Sequence, residues 1–144
     1  MLLDLSHEID YMQYILGDFS VSYSINKKVS NLEIDTDDYL LMCGELNRGG
    51  LFNIEVSYFS KNERRKIFIE TTSLSIELDI INSQMKIVTD HEEEIINEQK
   101  YNLSDTYVDE HKAILSGDFT KICTLSEGLR TMEIITEIQN AREQ

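Results

Sequence analysis

The chain has 144 residues, no internal repeat and no Pro/Gly/Ser-rich linker, so we expect one domain spanning residues 1–144. Hydrophobic residues make up 41% of the chain, and 13 Lys and Arg against 27 Asp and Glu give a net charge of −14. Such an acidic chain repels nucleic acid and anionic lipid unless basic residues cluster, and its basic runs are only Lys27-Lys28 and Arg64-Arg65-Lys66. We therefore expect no nucleic acid partner.

The same composition argues against a membrane protein and against a cysteine-based metal site. No apolar run approaches the ~20 residues that cross a bilayer. The two cysteines, Cys43 and Cys123, show no C-x-x-C spacing, and the chain has no signal-like segment. We expect reduced, buried thiols, no membrane contact and a cytoplasmic location.

The first element is predicted to be an amphipathic helix. Its apolar residues recur at the spacing of one helical face, and Gly17 follows them where a helix C-cap is typical. Ser6 is the candidate N-cap, which places His7 on the first turn. The apolar face consists of Leu5, Ile9, Met12 and Leu16.

The middle of the chain alternates apolar and polar residues with a period of two, which predicts a meander of five or six antiparallel strands. Segment 37–46 is apolar on both sides of its strand, so one face of the sheet is expected to meet a partner, and homodimerisation through that face is our hypothesis. The candidate strands are 19–25, 37–46, 52–58, 65–71, 74–80, 85–90 and a weaker segment at 93–100.

Helical spacing returns after the strands. One short helix is predicted around Tyr107 to Leu115, ending near Gly117, with His111 on its apolar face as a core histidine. A capping box, Thr124-x-x-Glu127, then begins a second helix with the apolar stripe Leu129, Met132, Ile135 and Ile138. The order of helix, sheet and two helices predicts an α+β fold with helices on one face of the sheet.

His7 is the one residue placed for acid/base chemistry. Free N–H groups and the helix dipole disfavour an imidazolium on a first turn, and a neutral imidazole can accept a proton from an alcohol. The alternative is a solvated first-turn residue without a role. The clusters 91–94 and 109–111 lack metal-ligand spacing, and the six glycines form neither G-x-G-x-x-G nor a P-loop.

Four segments in order resemble the C-terminal domain of the glucose-fructose oxidoreductase, inositol dehydrogenase and MocA family of NAD(P)-dependent dehydrogenases. They are LLDLSHEIDYMQYILG, RRKIFIETTSLSIELDI, TYVDEHKAIL and LSEGLRTMEIITEIQNARE. The resemblance implies an open, mixed but mainly antiparallel sheet of about six strands, like the C-terminal domain of glyceraldehyde-3-phosphate dehydrogenase. It also implies a role in substrate binding and oligomerisation.

The resemblance further implies a parent enzyme with an N-terminal Rossmann domain that binds NAD or NADP and is missing from this chain. His7 corresponds to the histidine that contacts the hydroxyl of a sugar-like substrate, with Asp4 beside it. The family's catalytic lysine lies in a Glu-Lys-Pro motif, and this chain has no proline. The spacing from Asp4 to His7 is one residue shorter than in many members, which weakens the assignment of Asp4.

Two functions from different classes therefore compete. In the first, the chain is the substrate and oligomerisation domain of a hydride-transferring sugar dehydrogenase, inactive alone and binding no cofactor itself. In the second, it is a stand-alone, non-catalytic module for self-association or partner binding, which Met1 directly before the motif allows as an authentic start. A third, weaker hypothesis is a small-ligand domain whose acidic surface faces cationic partners.

Overall fold

A computed structural model describes residues 6–98, 102–120 and 122–141. The chain divides into two compact units, the first drawn from Met1–Ser60 and Lys121–Gln144 and the second from Lys61–Thr120. The elements are α1 (Ser6–Leu16), β1 (Phe19–Lys27), β2 (Tyr39–Leu46), β3 (Leu51–Ser57), β4 (Lys66–Glu70), β5 (Leu74–Asp79), β6 (Gln84–Thr89), β7 (Glu93–Asn97), α2 (Leu103–Ser116) and α3 (Leu125–Ala141).

The first unit packs two helices on one face of a three-stranded antiparallel sheet in the order β1-β2-β3. Alternate residues of the central strand, Leu40 and Met42, are fully buried on that face. Residues between them, such as Leu41 and Cys43, are half-buried on the other face. The core cluster consists of Ile9, Met12, Phe19, Leu40, Met42, Ile134, Ile135 and Ile138.

A β-bulge in β1 fixes how β1 and β2 meet. The pairing shifts between Val21, opposite Gly44, and Tyr23, opposite Cys43, so Ser22 is the extra residue. A Cβ on Gly44 would lie 1.9 Å from the backbone oxygen of Ser20. Only glycine allows the two strands to approach this closely.

Helix α3 begins as the sequence predicts but turns a different face inward. Thr124 Oγ1 accepts a hydrogen bond from the Glu127 N–H (3.3 Å), and Glu127 Oε2 accepts one from the Thr124 N–H (2.7 Å), which confirms the capping box. The predicted inward stripe is wrong at Leu129 and Met132, which are exposed. Ile134 takes their place in the core.

The physical reason is that α3 carries two apolar stripes, and the stripe with Ile134, Ile135 and Ile138 packs into the core, where Thr131 also bonds to α1. Thr131 is buried and its hydroxyl donates to Gln13 Oε1 on α1 (2.9 Å). With Thr131 facing α1, Ile134, Ile135 and Ile138 face the sheet, and the stripe containing Leu129 and Met132 faces solvent.

The second unit contains a four-stranded antiparallel meander in the order β4-β5-β6-β7. Its strand register places apolar side chains such as Ile67, Ile76 and Ile87 on one face. The other face carries ion pairs between neighbouring strands, Lys66–Glu77 (2.7 Å) and Lys86–Glu93 (2.9 Å). The same unit contains helix α2.

Helix α2 ends as predicted at Gly117, which has φ +73°. The N–H of Gly117 donates to the Ile114 carbonyl (3.2 Å) and that of Asp118 to the Ala113 carbonyl (3.0 Å), a Schellman motif. The prediction of a core histidine at His111 is wrong, because its side chain is exposed with nearly all of α2. The helical period there marks a solvent-facing apolar stripe.

The α+β class, the antiparallel strands and the helices on one face of a sheet are confirmed. The described strands number seven, because the weak segment at 93–100 forms β7, and their five pairings are all antiparallel. Hydrogen bonds join them into sheets of three and four strands.

We predict that Gly44→Ala destabilises the protein by about 3 kcal/mol, because the new methyl group overlaps the Ser20 carbonyl and the Phe52 ring (2.9 Å). Gly128→Ala in α3 is the matched control. Its Cβ meets only Cys123 Sγ at 3.9 Å, so it should stabilise by roughly 0.5–1 kcal/mol. Urea denaturation measures both, and equal stability of the two variants would contradict the close contact.

Candidate functional site

His7 lies on the first turn of α1, as predicted, with its side chain exposed. The described part of this helix begins at Ser6, and Glu8 is the acidic residue of its first turn. Asp4, the other predicted catalytic residue, lies outside the described residues. The site on this chain is therefore built around one imidazole, held at the end of a helix whose Ile9 and Met12 are buried in the core.

Three contacts fix α1 and with it the position of His7. Gln13 bonds to Thr131, and the Cys123 thiol donates to Asp10 Oδ1 at 3.3 Å. At the far end, the Gly17 N–H donates to the Gln13 carbonyl (2.8 Å) with φ +84° at the glycine, which confirms the predicted C-cap.

Cys123 reaches α1 from the start of α3, a contact between residues 113 apart in sequence. Burial of its sulfur, the hydrogen bond to Asp10 and the carboxylates of Asp10 and Glu127 raise the pKa of the thiol to about 11. The thiol therefore stays protonated near neutral pH and is not a nucleophile. Both cysteines are free, but the expectation that both are buried is wrong, because Cys43 is half-buried and Cys123 is exposed.

Asp10 is an acidic residue close to His7 in the sequence, and it contacts the segment that leads into α3. Asp10, three residues after His7, is half-buried against Cys123. At the start of α3, Glu127 accepts hydrogen bonds from the Thr124 hydroxyl and from the Thr124 backbone N–H, and these bonds lower the pKa of Glu127. The sequence pattern gave no signal for this arrangement, because it depends on how α1 and α3 pack.

A second polar cluster lies in the first unit, in the loop that joins β1 to β2. The Asp38 carboxylate is fully buried and accepts hydrogen bonds from the backbone N–H groups of Val29 (2.7 Å) and Ser30 (3.0 Å) and from the Ser30 hydroxyl. Lys28 Nζ lies 3.4 Å away. Burial acts to raise the pKa of Asp38, but these hydrogen bonds outweigh it and hold the pKa at about 2.

An open hollow of about 370 Å³ lies beside this cluster. Buried Asn26 donates to Asp37 Oδ2 (2.9 Å), while its own Oδ1 has no hydrogen-bond partner. The Asp38 carboxylate interacts with Lys28, Val29 and Ser30, which belong to the loop between β1 and β2. This cluster therefore holds that loop in place. The hollow is lined by Lys28, Ile34, Asp35, Thr36 and Asp37.

The described residues contain neither a cluster of metal-ligating side chains nor a parallel strand pair. Within residues 6–98, 102–120 and 122–141, no group of three or more His, Cys, Asp and Glu side chains could hold a metal ion. Nucleotide binding in α/β folds needs a Gly-rich turn between a parallel strand and a helix, whereas the described strand pairings are antiparallel.

Within the described residues, no helix is long and apolar enough to span a membrane.

A family model matches residues 1–144 and is described as the C-terminal alpha/beta domain of an oxidoreductase family, Gfo/Idh/MocA. No curated protein matches the chain by sequence. The UDP-N-acetylglucosamine 3-dehydrogenase GnnA from Acidithiobacillus ferrooxidans has a similar structure, with a TM-score of 0.76 and 16% identity. The similarity covers 95% of this chain and 44% of that one.

Two other solved structures are similar at low identity. Levoglucosan dehydrogenase, in a complex with NADH and levoglucosan, has a TM-score of 0.75 and 15% identity, covering 95% of this chain and 47% of that chain. An Agrobacterium radiobacter oxidoreductase, in a complex with NAD+, L-tartaric acid and magnesium, has a TM-score of 0.75 and 19% identity, covering 94% and 44%. This chain thus spans less than half the length of these similar proteins.

We predict that Asp38 stabilises the fold in a pH-dependent way. Folding lowers the pKa of Asp38 from 3.8 to about 2. The contribution of its carboxylate to the free energy of unfolding is therefore complete above about pH 4 and is lost as the pH falls from about 4 to 2. The difference in urea midpoint between the wild type and Asp38→Asn should shrink over that range.

Asp35→Asn, an exposed change in the same loop, is the control for this prediction and should leave the midpoint almost unchanged at every pH. If the difference in urea midpoint between the wild type and Asp38→Asn persists at pH 2, the charge of the Asp38 carboxylate is not the source of the stabilisation.

Proposed function

The chain belongs to the C-terminal domain family of the glucose-fructose oxidoreductase, inositol dehydrogenase and MocA enzymes, and from this premise we propose that it is the substrate-binding and oligomerisation domain of an NAD(P)-dependent sugar dehydrogenase. The observation that carries the proposal is the match over residues 1–144 together with His7 on the first turn of α1. The parent reaction is the oxidation of a secondary alcohol on a sugar or sugar derivative.

In this proposal His7 accepts the proton of the substrate hydroxyl. An exposed imidazole on a first turn can reach a ligand placed beyond the end of its helix, and it remains accessible from the solvent side. Burial of Ile9 and Met12 holds the helix against the sheet, so the imidazole is presented by a rigid element. Asp4 is proposed as its neighbour in the site.

The cofactor belongs to a second domain in this proposal. The sequence has no Gly-rich dinucleotide motif, and the strand pairings of the described residues are antiparallel. The net charge of −14 also disfavours a diphosphate ligand. A Rossmann domain, outside the 144 residues, would hold NAD or NADP against the His7 end of α1. Sugar-like substrates are proposed because levoglucosan is the ligand of one similar protein.

Self-association is proposed through the face of the β1-β2-β3 sheet that points away from α1 and α3, which we call the open sheet face. It carries Tyr23 and Ile25 on β1 with Leu41 and Cys43 on β2, paired across the strands. Tyr23 is 55% exposed. A second copy of the chain meeting this face would bury apolar side chains that now contact water.

A stand-alone, non-catalytic module is the second candidate function. The exposure of His7 favours it, because the described residues form no enclosed site around this imidazole. The two candidates differ in whether a nucleotide-binding domain is encoded with the chain, either in frame before Met1 or as a separate subunit.

We predict that the chain alone binds neither NAD nor NADP, with any Kd weaker than about 1 mM by calorimetry. Together with the nucleotide-binding domain encoded with it, the protein should bind the cofactor and oxidise a sugar alcohol. His7→Gln should then lower kcat by about 10²- to 10³-fold at unchanged cofactor affinity, because only proton acceptance is lost.

His111→Gln, at an exposed histidine of α2, is the matched control for His7→Gln and should keep the wild-type kcat. Tight dinucleotide binding by the chain alone, or full activity of His7→Gln, would contradict the proposed function.

We also predict that the chain is a dimer at micromolar concentration in sedimentation velocity. Tyr23→Glu should convert it to a monomer, because the new carboxylate would be desolvated in an apolar interface. Tyr107→Glu, at a tyrosine of α2 with similar exposure (57%), is the control and should remain dimeric. A monomeric wild type would rule out association through the open sheet face.

A further inference from the structure

Asp10 lies one helical turn after His7 in α1. The two residues are spaced i and i+3, which makes their side chains neighbours on the surface of the helix. Each Cα–Cβ bond of an α-helix tilts toward the helix N-terminus, so the side chain of Asp10 leans back toward the turn that carries His7. The spacing therefore brings a carboxylate within reach of the imidazole.

The carboxylate of Asp10 is also held from outside its own helix. The Cys123 thiol donates to Asp10 Oδ1 (3.3 Å), and Asp10 is half-buried in this contact. A carboxylate can accept at both of its oxygens, so Oδ2 can accept a hydrogen bond from a second donor. Partial burial reduces the screening of this charge by water, which strengthens its attraction for a cation nearby.

Other ionisable groups border the same part of α1 but are placed differently. Glu8 follows His7 directly, and adjacent helical residues diverge by roughly 100°. Tyr11 is a phenol that packs against the core. Glu127, at the start of α3, accepts hydrogen bonds within the capping box of its own helix. Of these carboxylates, Asp10 alone combines the i+3 spacing from His7 with a contact that fixes it to the start of α3.

We propose that Asp10 is a positioning residue that acts through His7, by stabilising the imidazolium that forms when His7 accepts the proton of the substrate hydroxyl. This inference rests on the proposed function, which supplies that proton. The proton stays on His7, the hydride leaves with the nicotinamide cofactor of the second domain, and Asp10 remains ionised throughout. A fixed carboxylate beside a histidine base acts in this way in the Ser-His-Asp triad.

An NMR titration of the histidine ring signals in the chain alone tests the pairing. Asp10→Asn keeps the size of the side chain and removes its charge, so the titration midpoint of His7 should fall by about 0.2–0.4 pH unit, as for an i,i+3 ion pair. His91 and His111 are exposed and serve as internal references with unchanged midpoints. Asp18→Asn, at an exposed aspartate just after α1, is the matched control and should leave all three midpoints unchanged.

Alkylation of Cys123 by iodoacetamide, followed by mass spectrometry, tests whether the thiol holds Asp10 in solution. Burial of the sulfur, the hydrogen bond to Asp10 and the nearby carboxylate charges raise the pKa of this thiol to about 11. Asp10→Asn removes part of that effect, so alkylation of Cys123 at pH 8 should become about threefold faster. An unchanged rate would show that Cys123 does not hold Asp10, and it would overturn the proposal.

Kinetics of the chain together with the nucleotide-binding domain encoded with it test the use of this pair in the reaction. Asp10→Asn should lower kcat about tenfold at unchanged KM. The acidic limb of the pH profile of kcat/KM should move to lower pH by the same amount as the NMR midpoint, which a merely structural role of Asp10 would not cause. Asp10→Glu keeps the charge and should recover most of the lost rate.

The competing carboxylate is Asp4, which the family resemblance places beside His7. A His7 midpoint that stays unchanged in Asp10→Asn, or that moves only in Asp4→Asn, would overturn the proposal and leave the proposed function intact. A lower midpoint together with full activity of His7→Gln would overturn the proposed function and, with it, the catalytic use of the pair. Asp10→Ser removes the same charge with a smaller side chain and replaces Asp10→Asn if that variant does not fold.

Discussion

The packing of α1 against the β1-β2-β3 sheet is the constraint on which the site depends. Ile9 and Met12 are buried with Leu40 and Met42, and each such side chain contributes about 1.5–3 kcal/mol by leaving water. Its Gln13 and Asp10 also bond to Thr131 and Cys123, so α3 contributes to holding this helix. These contacts therefore determine where its first turn, with His7, is presented.

Local sequence patterns predict much of this arrangement. The helical period of Ile9 and Met12, the Gly17 cap and the Thr124–Glu127 capping box each depend on residues within a few positions of one another, and each is confirmed. The strand segments are found for the same reason, since alternation is a local signal. The family resemblance, based on four segments in order, is confirmed as well.

The sequence could not specify what depends on contacts between distant elements. Helix α3 has two apolar stripes, and only the packing shows that the one with Ile134, Ile135 and Ile138 faces the core, on the side where Thr131 bonds to Gln13. The contact of Cys123 with Asp10 joins residues 113 apart and has no local signal. His111 shows the same limit, because a helical period identifies an apolar face without saying whether anything covers it.

The first unit presents different chemistry on its two sides. The open sheet face carries Tyr23 and Ile25 on β1 and Leu41 and Cys43 on β2, and no histidine is among them. The helical side carries His7 at one end of α1. Because the core lies between these sides, a partner bound to the sheet does not compete with one bound to the helices.

The exposure of His7 also bears on why catalysis would need a second domain. In water, a general base competes with solvent for the substrate proton, and the electrostatic interactions of a site are weak until water is excluded. The first turn of α1 already contains Glu8, and Asp10 follows, so this helix N-terminus is a poor site for the phosphates of a dinucleotide. The cofactor phosphates are better held elsewhere, and the domain that holds them would exclude water from His7 as it closes over α1. Under the proposed function, this chain would therefore contribute a rigidly positioned imidazole to a reaction that needs a second domain.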